Sequence, residues 1–383
     1  MMMDGVGERL GGGFWQGGFL ENFDISVENV GKVRLVWGPE VLEYGMGGLL
    51  GVWEFVEESP FGKDDFYLIR SIFGTDGLAQ HFVRVGGFVV EDFALYGSYE
   101  WVASDGTRLD FRRNGLEDKR EFSRYAVVGE WGGEDSRVVV YVLGSWGEVY
   151  PTAFYPFFWG RREVRGIRHN LMWRGRRGGW SWRVRYGVGR SWRRLRDNEV
   201  ALRRSYGREP ELGREGMYVD FRLDTFRYRL GDWRHWGVGG GRLERERYSH
   251  FAMEPRTYVR EWGYGYYRHN LVWRDIFLFS LVGAVGKVSS RRWEFSFGGQ
   301  CRFLFGEGHR LRFYVYRHWR EPVVMALRGR IFYPEGVLYL RGSGDLSSLR
   351  VEGLGVDYIW EGKLGSVEGR GYMYRLLGRE VPW

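Results

Sequence analysis

The side chains best equipped for chemistry in this chain are its arginines. The stretches RRWEFSFGGQCRFLF (291–305) and GEGHRLRFYVYRHWR (306–320) set guanidinium groups among phenylalanine, tyrosine and tryptophan. Of 57 basic residues only five are lysine, at 32, 63, 119, 287 and 363, and the rest are arginine. Arginine presents a planar fork that matches phosphate or carboxylate, whereas lysine is a hydrated point charge. With 19 Trp, 24 Tyr and 26 Phe, such a chain can grip phosphates and stack bases. A formal net charge of +8 favours an anionic partner or surface. Packing within sheets accounts for most of the aromatic residues without any ligand.

Catalytic constellations are missing. No G-x-x-x-x-G-K-[ST] or G-x-G-x-x-G run offers a phosphate cradle. The seven histidines never take metal-ligand spacing, and no G-x-S-x-G elbow occurs. His169 and His269 lie in alternating runs and read as sheet residues. The carboxylates are scattered, and the pair Asp64–Asp65 reads as a solvated face. A single cysteine, Cys301, excludes a disulfide framework and a cysteine-based zinc site. The chain reads as a non-enzyme without a cofactor or metal.

The elements that carry these arginines are mostly strands. WSWRVRYGV puts Trp180, Trp182, Val184, Tyr186 and Val188 on one face and Ser181, Arg183 and Arg185 on the other. Trp293, Phe295, Phe297, Cys301, Phe303 and Phe305 share a face in the same way. YAVVGEWGGEDSRVVVYVLG (125–144) reads as a hairpin about a polar turn, and WVASDGTRLDF (101–111) has an Asp-Gly turn. IFLFSLVGAVG (276–286) reads as a buried strand or a short core helix. Helices are expected at the start of DDFYLIRSIFG (64–74) and in the charged segment 190–216, before an exposed loop. Residues 1–50 are glycine-rich and irregular around one strand-like run, KVRLVWG. Two near-identical heptapeptides, RHNLMWR (168–174) and RHNLVWR (268–274), have dissimilar flanks and read as chance in a biased composition.

Nine Ala, nine Pro, five Thr and three Gln stand against 60 Gly. The bias follows codons poor in cytosine and rich in guanine, as in a strand-biased or edited organellar gene. The first residues lack a secretory signal and the Arg/Ser-rich pattern of an imported precursor. No run reaches the length of a membrane-spanning helix.

Two classes of function remain. An outer-membrane, porin-like β-barrel suits the alternating strands and the Gly, Tyr and Trp content, with arginines facing a lumen. Against it stand the absent export signal, the scarcity of Thr, Asn, Ala and Gln, and the C-terminus. Steps of two from Trp383 give Val381, Arg379, Leu377 and Arg375, and Pro382 cannot donate to a ladder.

The second class is RNA binding. Residues 329–375, GRIFYPEGVLYLRGSGDLSSLRVEGLGVDYIWEGKLGSVEGRGYMYR, resemble the C-terminal domain of the small-subunit ribosomal protein 3 family. The parallels are Gly329-Arg330-Ile331, the Leu346-to-Leu349-Arg350 turn, Val356-Asp357-Tyr358 and the turn from Gly369 to Tyr374. ERLGGGFWQGGF (8–19) and DDFYLIRSIFG, with Ile69-Arg70 at its centre, echo the family's N-terminal half in the same order. GLAQHFVRVGGFVVEDFALYG (77–97) fits two strands of a KH-type module. The chain departs from the family at Asp345, which replaces a proline, and in lacking a Gly-x-x-Gly loop.

That resemblance implies an α+β, β-rich fold in three parts. They are an N-terminal region with a degenerate KH-like module (1–105), a β-rich central insertion (106–300) and a C-terminal ribosomal-protein domain (301–383). It implies an organelle-encoded constituent of the mitochondrial small ribosomal subunit, working in translation in the matrix, away from any membrane. Its partners would be small-subunit rRNA, mRNA at the entry path and neighbouring proteins of the subunit head. The RNA-contacting residues would be Arg302, Arg310, Arg312, Arg317, Arg320, Arg330 and Arg350. Arg350 and Asp357 would lie at the surface while Leu346 and Leu349 anchor the turn.

Overall fold

The computed structural model describes residues 2–4, 26–45, 52–61, 65–105, 120–149, 162–195, 211–250, 257–320, 330–332, 339–341, 348–362 and 365–377, apart from 76, 134, 290 and 307. Their only helical elements are two 3-10 turns, Val27–Asn29 and Gly38–Tyr44. Strands β1 (Met2–Asp4), β2 (Val30–Val36) and β3 (Val52–Glu57) form a small sheet in the order β1-β3-β2.

A far larger sheet begins with β4 (Phe66–Phe73), β5 (Ala79–Val90), β6 (Phe93–Ser104), β7 (Arg120–Gly132) and β8 (Ser136–Val149). It continues through β9 (Arg162–Arg177), β10 (Trp180–Leu195), β11 (Glu211–Asp224), β12 (Tyr228–Leu230), β13 (Trp233–His250), β14 (Thr257–Trp273) and β15 (Phe277–Val288). β16 (Glu294–Phe305) and β17 (His309–Arg320) follow. A separate hairpin of β18 (Arg330–Phe332) and β19 (Tyr339–Arg341) precedes β20 (Leu349–Gly362) and β21 (Gly365–Leu377). This sheet has 16 strands and runs from β4 to β21 in chain order, with β12 paired only to β13 and the β18–β19 hairpin apart. Each strand lies antiparallel to the next, so the pairing is a chain of hairpins and local connections.

Connections differ at the two ends of the strands. Residues 91–92, 133–135, 178–179, 274–276, 306–308 and 363–364 close one end. Residues 105–119, 150–161, 196–210 and 321–348 connect strands at the other. The β9–β10 turn needs two successive left-handed residues, and Gly178 and Gly179 supply them with φ of 56° and 83°.

Side chains alternate between two faces of unlike character. One face carries Val85, Leu95, Val127, Val140, Leu171, Val219, Leu243, Leu281, Phe297, Val315 and Leu354, all exposed. The other buries charge, including Arg84, Glu100, Glu130, Arg185, Arg242, Glu246, Arg260, Arg312 and Asp357. The large sheet curls with this second face inward around residues 26–45 and 52–61. Arg70 of β4 pairs with Glu28, and Arg370 of β21 lies 3.7 Å over the Trp37 ring, so both ends of the sheet reach the same enclosed segment.

Several sequence expectations change. The α+β class gives way to an almost wholly β structure with no α-helix among the described residues. Residues 66–73 form β4 rather than a helix, because a short apolar run such as FYLIRSIF has no decisive period. The charged segment begins as strand: β10 runs to Leu195, and residues 196–210 lie outside the described residues. The two strands assigned to a KH-like module are the β5–β6 hairpin of the large sheet, and the C-terminal domain dissolves into β17, β20 and β21 of that sheet. The faces read from 180–188 and 293–305 and the 125–144 hairpin appear as expected, while 277–286 falls in strand β15, which is buried on its inner face only, with Leu281 exposed on the other. Both heptapeptides lie on strands that run toward the short turns, with Asn170 and Asn270 buried on the inner face. The Asp-Gly turn at 105–106 lies outside the described residues.

Met172 belongs to an inner cluster with Tyr96, Val128, Val139 and Tyr141, whereas Leu171 beside it points outward. Met172→Ala should cost about 2–5 kcal/mol, and Leu171→Ala about 0.5 kcal/mol or less. Denaturant unfolding of the two variants tests the inward and outward assignment; equal losses would contradict it.

Candidate functional site

The inner face forms a charged lumen, and the candidate site is where residues 26–45 and 52–61 lie against it. The segment enters through Ser26–Asn29, runs along β2, and then turns at Gly38-Pro39 into the second 3-10 turn. Proline at the start of that turn presets its φ. Gly38 takes φ 71°, and a side chain there would meet Arg312 Nη2 at 3.1 Å and the Tyr314 ring. Val41 and Leu42 are fully buried.

Polar and apolar contacts hold the turn to the wall formed by β11, β14 to β17 and β20. Glu40 accepts from Arg312 and, at 2.7 Å, from Gln300 Nε2. Arg312 also faces Asp357 at 3.4 Å, and Trp37 Nε1 donates to the same carboxylate at 2.9 Å. Glu43 pairs with Arg268 at 2.5 Å and Arg222 at 3.1 Å. Burial pushes the Glu43 carboxyl above its ordinary range, although both arginines pull the other way. Leu42 packs in a cluster with Trp262, Tyr264, Val282, Ala284, Val288 and Trp319, and its carbonyl accepts from Tyr264. His318 Nε2 lies 3.1 Å from the Gly45 carbonyl and Nδ1 the same distance from Ser296.

The opposite wall is held by the flanks of the segment. Asn29 donates to Ser98 at 2.7 Å, Arg84 donates to Glu58 at 2.5 Å, and Ser59 donates to Glu130. Arg137 lies 4.3 Å from the Phe61 ring centre. Elsewhere the wall neutralises itself through Arg260–Glu246, Arg242–Glu244 and Arg124–Glu100. Such an arrangement can hold an anionic solute and can release or retain the segment.

The arginines singled out in the sequence scatter over this architecture. Arg312 is central, buried between Glu40 and Asp357, and Arg302 stands opposite it on β16. Arg310 is exposed and pairs with Glu361 at 2.6 Å, and Arg317 meets Glu352 at 3.7 Å on the outer face. Arg350 is exposed, 3.2 Å from Glu294. Arg320 and Arg330 lie in β17 and β18, with side chains outside the described residues. Asp357 is not at the surface; it is 2% exposed and faces the lumen. Leu346, and the side chain of Leu349, lie outside the described residues. The segment as far as residue 50 reads as irregular around one strand-like run, KVRLVWG, which falls largely in β2; nothing in that reading places it in a lumen. Its signal was Gly38-Pro39 followed by Val41-Leu42 between two strand-like runs, with Glu40 and Glu43 as the unbalanced charges.

No protein-family model matches the chain, and no curated protein sequence does. Its fold is similar to that of solved receptors. The siderophore receptor PirA from Acinetobacter baumannii matches with a TM-score of 0.73 at 9% identity, over 91% of this chain and 58% of that one. The ferric enterobactin receptor PfeA from Pseudomonas aeruginosa, as a G324V mutant, gives 0.72 at 9% identity over 88% and 57%. The ferric-catecholate import receptor Fiu from Escherichia coli K12 gives 0.68 at 10% identity over 91% and 63%. The chain thus spans about three fifths of the length of these receptors.

This likeness overturns the resemblance to small-subunit ribosomal protein 3. The similar structures are siderophore, ferric enterobactin and ferric-catecholate receptors, not mitoribosomal proteins. Nothing supports a ribosomal role in translation, partnership with rRNA, mRNA or ribosomal proteins, a place in the mitochondrial matrix, or separation from membranes. The parallels were short glycine- and arginine-containing motifs, which a composition of this kind repeats. Val356-Asp357-Tyr358 alternates because β20 is a strand of a curled sheet. The barrel with arginines facing a lumen is the better-supported alternative.

Arg312→Ala would leave Glu40 and Asp357 buried without their shared cation and should cost about 3–5 kcal/mol. Arg310→Ala, which removes an exposed pair, should cost about 0–1 kcal/mol. Hydrogen exchange at the amides of 38–45 should accelerate in the first variant alone. Equal protection in both would remove Arg312 from the site.

Proposed function

We propose that the chain is an outer-membrane-type β-barrel receptor that imports a small anionic chelate through its lumen, with residues 26–45 and 52–61 as parts of the plug. The observation that carries this reading is the inversion of the two sheet faces. Exposed valine, leucine and phenylalanine cover the outside while ion pairs fill the inside, as a barrel in lipid requires. Two further features support it. Turns of two or three residues close most of one end of the strands, 225–232 being longer, whereas the connections at the other end range from 74–78 and 289–293 to 321–348. Trp131, Trp173, Trp180 and Trp233 stand exposed beside the short turns, where an aromatic girdle would meet the membrane interface.

An open, porin-like pore fits less well, because the lumen holds a segment bonded to both walls. The similar structures are a siderophore receptor, a ferric enterobactin receptor and a ferric-catecholate import receptor, and an arginine-rich lumen favours anionic cargo of that class. The protein acts by binding and transport rather than catalysis, and has no resident cofactor.

The test begins with liposomes. Protein refolded into them should float with the lipid and resist carbonate extraction, and should restore growth on a ferric catecholate to iron-starved bacteria lacking their own receptors. A protein that stays in the aqueous phase would end the barrel reading; flotation without growth would end only the cargo assignment. Leu281, outward in β15 and 54% exposed, should sit in the lipid. Leu281→Arg should then cost about 2–4 kcal/mol near the bilayer midplane and reduce the inserted fraction in the same flotation assay.

A further inference from the structure

Four consecutive strands each place an arginine in one cross-strand row. Arg137 of β8 stands opposite Arg174 of β9, Arg174 opposite Arg183 of β10, and Arg183 opposite Arg222 of β11. All four belong to the lumen face, since each lies two residues from the row of Val139, Met172, Arg185 and Asp220. Like charges directly opposite on neighbouring strands repel, and Glu130, Asp224 and Glu43 supply counter-charges to Arg137, Arg174 and Arg222. Arg176 extends the cluster, and the five arginines line a cavity of about 650 Å³ beside the short turns 133–135 and 178–179. Only two carboxylates, Asp135 and Asp224, line the same cavity. Glu130, behind it, serves both Arg137 and Arg174, at 3.3 and 2.6 Å.

We propose that this arginine row is a binding site for a multivalent oxyanion at the short-turn end of the lumen, and that Glu43 of the plug competes with that anion for Arg222. The proposal rests on the barrel reading for its place along a transport path, but not for its chemistry. Guanidinium forks bind phosphate or carboxylate oxygens bidentately, and a row of them spaced by adjacent strands suits an anion with several oxygens rather than a single point charge. Arg222 is the link to the plug. It pairs with Asp224 at 3.2 Å on the cavity side and with Glu43 at 3.1 Å on the plug side. An oxyanion that draws Arg222 into the cavity leaves Glu43 with Arg268 alone, so filling the site loosens one of the contacts that seat the plug.

The experiment uses the full chain refolded in detergent, with inorganic pyrophosphate and, separately, a tricarboxylate as probes in isothermal titration. Chloride at matched ionic strength is the control. Pyrophosphate should bind in preference to chloride, and Arg174→Gln with Arg183→Gln should weaken it about tenfold or more. Glu43→Gln should tighten it, and Arg310→Gln, outside the cavity, should leave it unchanged. If the double variant fails to fold, Arg174→Lys and Arg183→Lys singly keep the charge but lose the fork, and each should still weaken binding. Preference for the tricarboxylate would assign the site to carboxylate cargo and keep the proposal. Unchanged affinity in the arginine variants, or equal competition by chloride, would overturn it. Failure is distinguishable from failure of the barrel reading, because liposome flotation of the same preparation reads the barrel alone.

Discussion

A guanidinium withdrawn from water must meet a carboxylate, and this requirement organises the whole chain. Arg260 on Glu246, Arg242 on Glu244 and Arg312 on Asp357 each place a charge in the wall where a soluble sheet would place a valine. Unpaired, any of them would be too costly to bury; paired, each can occupy the inner face. Because a strand has only two faces, charge inside sends the apolar residues outside. The outer surface is therefore a consequence of the ion pairs as much as a cause of the fold.

The wall alone does not complete the pairing. Glu40 and Glu43 come from the enclosed segment, and their arginines lie on β11, β14 and β17. The segment and the wall are thus one electrostatic unit, with apolar contacts from Leu42 to its aromatic neighbours and from Trp37 to Tyr314, Tyr316 and Val351. Moving the segment would expose those apolar side chains and strand several arginines at once. A transport step would therefore need both a replacement counter-charge for the wall and work to break the Leu42 contact.

Local pattern already determined much of this protein. The alternation in 180–188, the hairpin at 125–144 and the strand at 276–286 follow from period-two patterning and glycine-rich turns, which act within a few residues. The excess of arginine over lysine pointed to oxygen-rich anions, and its place opposite an apolar face was visible in Arg183 and Arg185. The short apolar run at 66–73 was misread because it fits either period, and the ribosomal resemblance arose from motifs too short to stand out against the composition.

What the sequence could not determine was which face is the inside. Period two separates the faces of a strand without saying whether the apolar one meets a protein core or an external apolar phase, and only curling of the large sheet decided that. Tertiary structure also decided the lumen contacts. Glu40 and Arg312 are 272 residues apart, and the arginine row exists only because the registers of three separate strand pairs align. Register is set by the turns and by the packing of every neighbouring strand together, so no single stretch of the chain contains it.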